Sequence, residues 1–380
     1  MDITIQPKKL QGTVEVIPSK SQAHRLLICA AFADGPTQLR CPETNRDIEA
    51  TADCLRALGT EIIRTETGYT VSPVTNIPKT AVLPCCESGS TLRFLLPIVG
   101  ALGVDGVFQM EGRLPQRPLS PLWDEMERMG CTLTRPTADT IRCTGKLRPG
   151  DYSIAGNVSS QYITGLLFAQ MLIGGPTTLE ITGKVESAPY IEMTRRALAL
   201  FPNRHSHGYL EVEGDWSNGS FWLAARALGN DLDVRNLKPD SVQGDRAAER
   251  LLMELTESIE IDAADIPDLV PILAIAAAAN QGAVIRNIAR LRLKESDRVE
   301  STIAMIEALG GRAAATENTL TVFGTGLRGG TVNSMNDHRI AMSAAIAATV
   351  CREPVTILGA ECVEKSYPKF WGEYFRLQNP

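Results

Sequence analysis

Residues 21–40 read SQAHRLLICAAFADGPTQLR, and this stretch decides the fold. It opens on polar side chains. An Ala/Leu-rich run follows that is apolar nearly all round, so a helix here must be buried on every side. A glycine then stops the helix, and a short β-prone run follows. The same order recurs at STLRFLLPIVGALGVDGVFQM (90–110), SQYITGLLFAQMLIGGPTTLEI (160–181), NGSFWLAARALGNDLDVRNL (218–237), PDLVPILAIAAAANQGAVIRNI (267–288) and DHRIAMSAAIAATVCREPVTIL (337–358).

A second kind of segment lies between these, amphipathic and more charged. It reads IEATADCLRALGTEI (48–62), LSPLWDEMERMGCTL (119–133), APYIEMTRRALALF (188–201), AAERLLMELTESIEI (247–261) and DRVESTIAMIEALGGRAA (297–314), and the chain closes with YPKFWGEYFRLQ (367–378). Runs such as TVEVI (13–17), LEVEG (210–214) and TLTVFG (319–324) alternate as strands do. The pattern predicts six repeats of roughly 50 to 70 residues, each with one buried helix, one surface helix and short strands.

A chain of 380 residues exceeds one ordinary core and fits two domains. Its 44% hydrophobic and 22% charged content is that of a globular protein. The net charge of −6 argues against nucleic acid as a partner, so any phosphate site must be local and concave. The opening MDITIQPKKLQGTVEV has no signal-peptide pattern. Apolar runs such as LVPILAIAAAA (269–279) fall short of a membrane span. Nine cysteines, an odd count without CxxC, point to reduced thiols in a cytoplasmic protein rather than to zinc. Cys85 and Cys86 are expected to be buried and inert.

The residues that open the buried helices carry the functional signal. They are Lys20-Ser21, Gly89-Ser90-Thr91 with Arg93 one turn in, Ser159-Ser160-Gln161, Asp268 after Pro267, and Asp337-His338-Arg339. A helix N-terminus is a ready anion site. Ser, Thr and Asp there serve equally as plain N-caps. Lys20, Arg25, Arg93 and Arg339 do not fit that reading, because cations at a helix start oppose the dipole at a cost of a few tenths of a kcal/mol or more. Four of them suggest a shared anionic ligand.

The chain resembles the 5-enolpyruvylshikimate-3-phosphate synthase (3-phosphoshikimate 1-carboxyvinyltransferase) family. The likeness rests on PSKSQAHR (18–25), ESGSTLRFLLPI (87–98), QRPLSPL (116–122), VSSQYITGLL (158–167), ESAPYIEMT (186–194), IPDLVPILA (266–274), LRLKESDR (291–298), NDHRIAMS (336–343) and EKSYPKF (364–370), in the family's order. It implies an α/β fold, a two-domain inside-out α/β barrel of six repeats with buried helices and mixed sheets. Residues 1–19 with 215–380 would form one domain and 20–214 the other, with the active site in the cleft between them. PSKSQAHR would be both hinge and phosphate-side wall.

The implied reaction joins the 5-hydroxyl of shikimate 3-phosphate to carbon 2 of phosphoenolpyruvate, then expels phosphate through a tetrahedral intermediate. Lys20, Asp268 and Glu295 would be the chemical residues. Asp268 would take the hydroxyl proton, Glu295 would protonate the methylene carbon and later remove a proton, and Lys20 would stabilise charge on the phosphate. By the same resemblance, shikimate 3-phosphate would contact Lys20, Ser21, Arg25, Ser159, Ser160, Gln161, Ser187, Asp268 and Lys294, with Tyr190 closing its phosphate pocket. Phosphoenolpyruvate would contact Lys20, Gly89, Arg117, Gln161, Arg298, Arg339 and Lys365. Arg93 would reach the ligand or brace its helix, and His338 would pack. The resemblance implies a monomer with no metal or organic cofactor.

Two departures stand out. Glu87-Ser88-Gly89-Ser90 replaces a family segment with Asn in place of Glu87, so a carboxylate must turn away from the anion pocket, toward a base such as Arg93. The usual glycine between Pro18 and Ser19 is absent. Both bear on substrate affinity and on glyphosate, which would compete with phosphoenolpyruvate in the space that Gly89 leaves. A UDP-N-acetylglucosamine enolpyruvyl transferase would carry a cysteine near Arg117, and none lies between Cys86 and Cys131. A non-catalytic anion-binding protein would not need Asp268 and Glu295 together.

Overall fold

The computed structural model describes residues 1–379. Helices of two characters alternate along them. The first six are α1 (Lys20–Ala31), α2 (Arg46–Ala57), α3 (Gly89–Leu102), α4 (Leu122–Arg128), α5 (Ser160–Gln170) and α6 (Ala188–Ala199). The others are α7 (Trp216–Ala227), α8 (Ala247–Glu254), α9 (Val270–Ala279), α10 (Arg298–Ala308), α11 (His338–Ala348) and α12 (Phe370–Gln378). The odd-numbered helices are buried almost throughout; α11 is buried at every residue. The even-numbered helices bury one face. Each buried helix with the surface helix after it is one repeat.

Strand pairing follows a single rule. Every parallel pair joins a strand that enters a buried helix to a strand that leaves one. In four pairs both strands flank the same helix. Thr80–Cys86 pairs Asp105–Met110 around α3, and Gly150–Ala155 pairs Thr177–Thr182 around α5. Ile259–Asp262 pairs Gly282–Arg286 around α9, and Gly330–Asn333 pairs Val355–Leu358 around α11. A helix is the natural bridge between parallel neighbours.

The remaining two pairs exchange partners. Gln11–Glu15 leads toward α1 but pairs with Asp231–Arg235, which leaves α7. Tyr209–Glu211 leads toward α7 but pairs with Thr37–Arg40, which leaves α1. This exchange makes one unit discontinuous. The chain divides into Pro18–Val212 and a second unit of Met1–Ile17 with the residues from Glu213 on.

That division falls two residues ahead of the boundaries expected from sequence, and hydrogen bonds explain why. Asp215 N–H donates to the Ile17 carbonyl at 2.9 Å. The Gln243 amide donates to Gly214 O at 2.8 Å and to Glu213 at 3.0 Å. Glu213–Asp215 is thereby tied to the second unit. Gly214 has no room for a Cβ, which would overlap the Asn236 carbonyl.

Each unit has its own hydrophobic core. In the second unit Trp222 of α7 stacks on Phe370 of α12 at 5.2 Å and donates its indole N–H to Tyr367 at 3.1 Å. In Pro18–Val212, α3 and α5 meet backbone to backbone. Pro97 cannot bond the Arg93 carbonyl one turn back, and Gly165 of α5 faces that carbonyl so closely that a Cβ would overlap it. Gly165→Ala must push the two helices apart. The expected result is a loss of about 1–3 kcal/mol, read as a lower urea midpoint at unchanged slope; an unchanged midpoint would contradict the close approach.

Candidate active site

The first group of predicted residues is built by the N-termini of α1, α3 and α5. Ser19, Ser88 and Ser159 are the N-caps, each accepting a backbone N–H of the first turn. The expected openers Lys20, Gly89 and Ser160 are the first helical residues behind them. Gln161 Nε2 donates to Ser90 Oγ at 3.0 Å and ties the start of α5 to that of α3.

Sequence reading missed the partner of Lys20. Its ammonium lies 2.8 Å from Asp47 Oδ2, on the first turn of α2, with both side chains largely buried. Asp47 therefore offsets the clash between Lys20 and the dipole of α1. The visible signal was Asn45 as N-cap with acidic residues in the next turn. A buried hydroxyl chain braces the same helices: His24 Nδ1 to Thr51 at 2.7 Å, Thr51 to Thr91 at 2.7 Å, and Thr91 to Ser88 at 2.8 Å. Burial, then the charges of Lys20 and Arg25, hold His24 well below its usual pKa, so it is neutral.

Gly89 is enclosed by cations. A Cβ there would lie 2.6 Å from Arg93 Nη1 and 2.7 Å from Arg117 Nη1. A side chain there would first displace two guanidinium groups. Arg93 also donates to Gly89 O and Pro118 O, so it braces the turn it shares with Arg117. Glu87 lies against Gly112, whose missing Cβ and φ of 57° make room for the carboxylate.

Arg25 is 2% exposed, and its three nitrogens serve protein acceptors. Nε donates to Thr194 at 2.9 Å, Nη1 to Ser21 O at 2.6 Å and Nη2 to Tyr190 O at 2.9 Å. It holds α1 against α6, with Ser187 at the left-handed entry to α6. Burial pulls Arg25 down to about 10. Left-handed backbone also precedes Glu87, at Cys86, and precedes Asp337, at Met335 and Asn336. Such strain, about 1–3 kcal/mol each, gathers at functional sites.

The second group lies wholly in the other unit and centres on Arg298, the first residue of α10, which is 1% exposed. Nη1 meets Asp268 Oδ1 at 2.7 Å, Nη2 meets Glu295 Oε2 at 2.6 Å, and Nε meets Asp337 Oδ2 at 3.0 Å. Burial alone would loosen its proton, but Asp337, Glu295 and Asp268 reverse this and hold the Arg298 pKa above its usual value. Burial opposes the charge on Asp337; Arg298 overrides it and keeps that carboxyl below its usual range.

Asp268 also meets Arg339 Nη2 at 3.1 Å and Lys294 Nζ at 3.4 Å. Its expected place as the opener of its helix needs correction. The N-cap of α9 is Leu269, and Asp268 lies in the turn ahead of it. Its carboxylate meets three cations. Asp337, read from sequence only as a helix opener, caps α11 through Arg339 N–H and holds Arg298 as well. Lys365 donates to Asn336 O at 3.1 Å, which brings it to the same turn. His338 is buried beside them.

The structure thus brings together Lys20, Gly89, Arg117, Ser160 and Gln161 around three helix starts in one unit. It brings together Asp268, Lys294, Glu295, Arg298, Arg339 and Lys365 in the other. The profile of the EPSP synthase (3-phosphoshikimate 1-carboxyvinyltransferase) family matches residues 5–260 and 249–374. The chain belongs to the EPSP synthase family. It is 37% identical over 412 residues to the 3-phosphoshikimate 1-carboxyvinyltransferase of Clostridium kluyveri, covering 99% of this chain and 97% of that one. It is 34% identical over 426 residues to that of Clostridioides difficile, with the same coverage.

Two solved structures show the fold. An EPSP synthase from Acinetobacter baumannii superposes with a TM-score of 0.80 at 23% identity, covering 99% of this chain and 98% of that one. The enolpyruvyl transferase NikO from Streptomyces tendae gives 0.75 at 19% identity, covering 99% and 96%. As an EPSP synthase family member, the chain is a transferase of the shikimate pathway that moves the enolpyruvyl group of phosphoenolpyruvate to shikimate 3-phosphate. Among the described residues, no helix is long and apolar enough to cross a membrane, and no group of His, Cys, Asp and Glu is arranged to hold a metal ion.

Gly89→Ala should displace Arg117 and Arg93. The KM for phosphoenolpyruvate should rise about tenfold, equal to about 1.4 kcal/mol of lost binding, with a smaller change in kcat. Steady-state kinetics with varied phosphoenolpyruvate checks this, and an unchanged KM would contradict the enclosure of Gly89 by the two guanidinium groups.

Proposed function

We propose that the two clusters close on one pair of substrates, with Asp268 and Glu295 as the proton-handling groups and the helix starts of the other unit as the phosphate side. One observation carries this reading: both carboxylates are held on the same guanidinium, at 2.7 and 2.6 Å from Arg298. A carboxylate is the ligand this guanidinium is shaped for, and phosphoenolpyruvate brings one. The substrate carboxylate would take over Arg298 from Glu295 and Asp268 and release both for chemistry.

The addition step forms a bond from the acceptor's 5-oxygen to carbon 2 of phosphoenolpyruvate. Asp268 takes the hydroxyl proton and Glu295 gives a proton to the methylene carbon, which becomes a methyl group. In the elimination Glu295 removes a proton from that methyl group. The carbon–oxygen bond to phosphate breaks, and phosphate leaves against Lys20 with the proton that Asp268 took in the addition, which returns both acids to their starting states. The 3-phosphate of the acceptor would sit at the start of α5, on Ser159, Ser160 and Gln161 with Ser187, where the helix dipole favours an anion. Ser21 and Lys294 would flank it, with Arg25 setting the position of Ser21. Lys20, Gly89, Arg117, Gln161, Arg339 and Lys365 would surround phosphoenolpyruvate. The chain would act as a cytoplasmic monomer, and glyphosate would compete with phosphoenolpyruvate.

The test is phosphate release in metal-free buffer with phosphoenolpyruvate and either acceptor. Release is expected with shikimate 3-phosphate and not with UDP-N-acetylglucosamine; the reverse would overturn the assignment. Asp268→Asn and Glu295→Gln should each lower kcat by roughly 10²–10⁴-fold while calorimetry still detects shikimate 3-phosphate binding. Turnover near that of the parent in either variant would remove that residue from its role.

A further inference from the structure

Two rungs join α1 to α2. Lys20 Nζ meets Asp47 Oδ2 at 2.8 Å, and one turn further along both helices His24 Nδ1 meets Thr51 Oγ1 at 2.7 Å. The second rung continues into α3. Thr51 Oγ1 lies 2.7 Å from Thr91 Oγ1, and Thr91 Oγ1 donates to Ser88 Oγ at 2.8 Å. His24, Thr51, Thr91 and Ser88 are all 0% exposed. The roles above leave His24 unused.

The chain has a direction, because each hydroxyl carries a single proton. Thr91 spends its proton on Ser88; the Asp47 carbonyl is a longer contact at 3.4 Å. Thr91 must then accept from Thr51, which leaves Thr51 no proton for His24. His24 is therefore the donor, and its ring proton sits on Nδ1. Nε2 keeps a bare lone pair, and among the described residues it has no hydrogen-bond partner. The ring stands edge-on to Phe94, with centroids 6.3 Å apart. A second proton would be stranded on Nε2, and burial with the charges of Lys20 and Arg25 also keeps the ring neutral.

At the far end, Ser88 Oγ receives the hydroxyl and the backbone N–H of Thr91, at 2.8 and 3.2 Å. Both of its lone pairs are filled, which fixes its side chain and the opening of α3. Gly89 comes next, between the Arg93 and Arg117 guanidinium groups. We propose that His24 is a positioning residue for phosphoenolpyruvate: with its proton on Nδ1, it starts a one-way hydrogen-bond chain through Thr51 and Thr91 that fixes Ser88 and Gly89. The inference rests on the reading of Gly89 and Arg117 as contacts of phosphoenolpyruvate. Without the His24 donor, the Thr51 hydroxyl is free to turn to a carbonyl of its own helix, and Thr91 loses its partner.

The experiment is steady-state kinetics with varied phosphoenolpyruvate for His24→Leu, Thr51→Val and His24→Asn, with nitrogen NMR of the parent's imidazole rings. His24→Leu and Thr51→Val each break the chain, so the KM for phosphoenolpyruvate should rise about fivefold, with kcat changed less. His24→Asn offers an amide N–H in place of Nδ1–H, so its KM should stay within about twofold of the parent's. The ring signal lost in His24→Asn belongs to His24, and it should show the proton on Nδ1. Should His24→Leu not fold, Thr51→Val and the ring signal decide. A parent KM in His24→Leu or Thr51→Val, a His24→Asn variant no better than His24→Leu, or a proton on Nε2 overturns the proposal. A parent KM in Gly89→Ala would instead overturn the reading on which it rests.

Discussion

Everything at the chemical end of the second unit depends on the burial of Arg298 among Asp268, Glu295 and Asp337. An isolated guanidinium out of water would cost several kcal/mol, and this one is tolerated because each nitrogen meets a carboxylate. The arrangement constrains its surroundings in turn. Asp337 must start α11 where Arg298 can reach it, and the left-handed backbone at Met335 and Asn336 sets that start. Asp268 must stay in the turn ahead of α9 rather than cap it. The network fixes three elements of the unit against one another, and it holds Asp268 and Glu295 on one side chain.

The other unit is built differently. Its helix starts carry Ser caps that take a first-turn N–H each, with Lys20 and the guanidinium groups around Gly89 beside them. Asp47 braces Lys20, the Pro118 carbonyl braces Arg93, and Ser21, Tyr190 and Thr194 brace Arg25. The exchanged strand pairs are what allow two such units from one chain. Gln11–Glu15 and Tyr209–Glu211 each complete a sheet in the unit that the chain is about to leave, so a chain that begins in one unit is sealed in both.

Much of this was legible in the sequence, and what was not has a physical reason. The buried helices announced themselves because a run such as VPILAIAAAA has no polar face to turn to water. Their openings pointed to a candidate site, since Lys and Arg at helix starts oppose the dipole. The resemblance then supplied roles that spacing cannot give. Pairings between residues distant in the chain stayed hidden, as with Lys20 and Asp47 or Arg25 with Tyr190 and Thr194. Nothing in PSKSQAHR says that Arg25 turns inward, and nothing in IPDLV says that Leu269, not Asp268, occupies the cap. The exchange of strand partners was equally invisible, because each strand reads as an ordinary alternating run whichever neighbour it takes.

The most direct measurement of the central claim is a crystal structure of the Asp268→Asn variant with shikimate 3-phosphate and phosphoenolpyruvate bound. The phosphoenolpyruvate carboxylate should lie within about 2.7–2.9 Å of the Arg298 guanidinium, with Glu295 moved off it toward the methylene carbon. Phosphoenolpyruvate bound elsewhere, with Arg298 still held by Glu295 and Asp337, would contradict it.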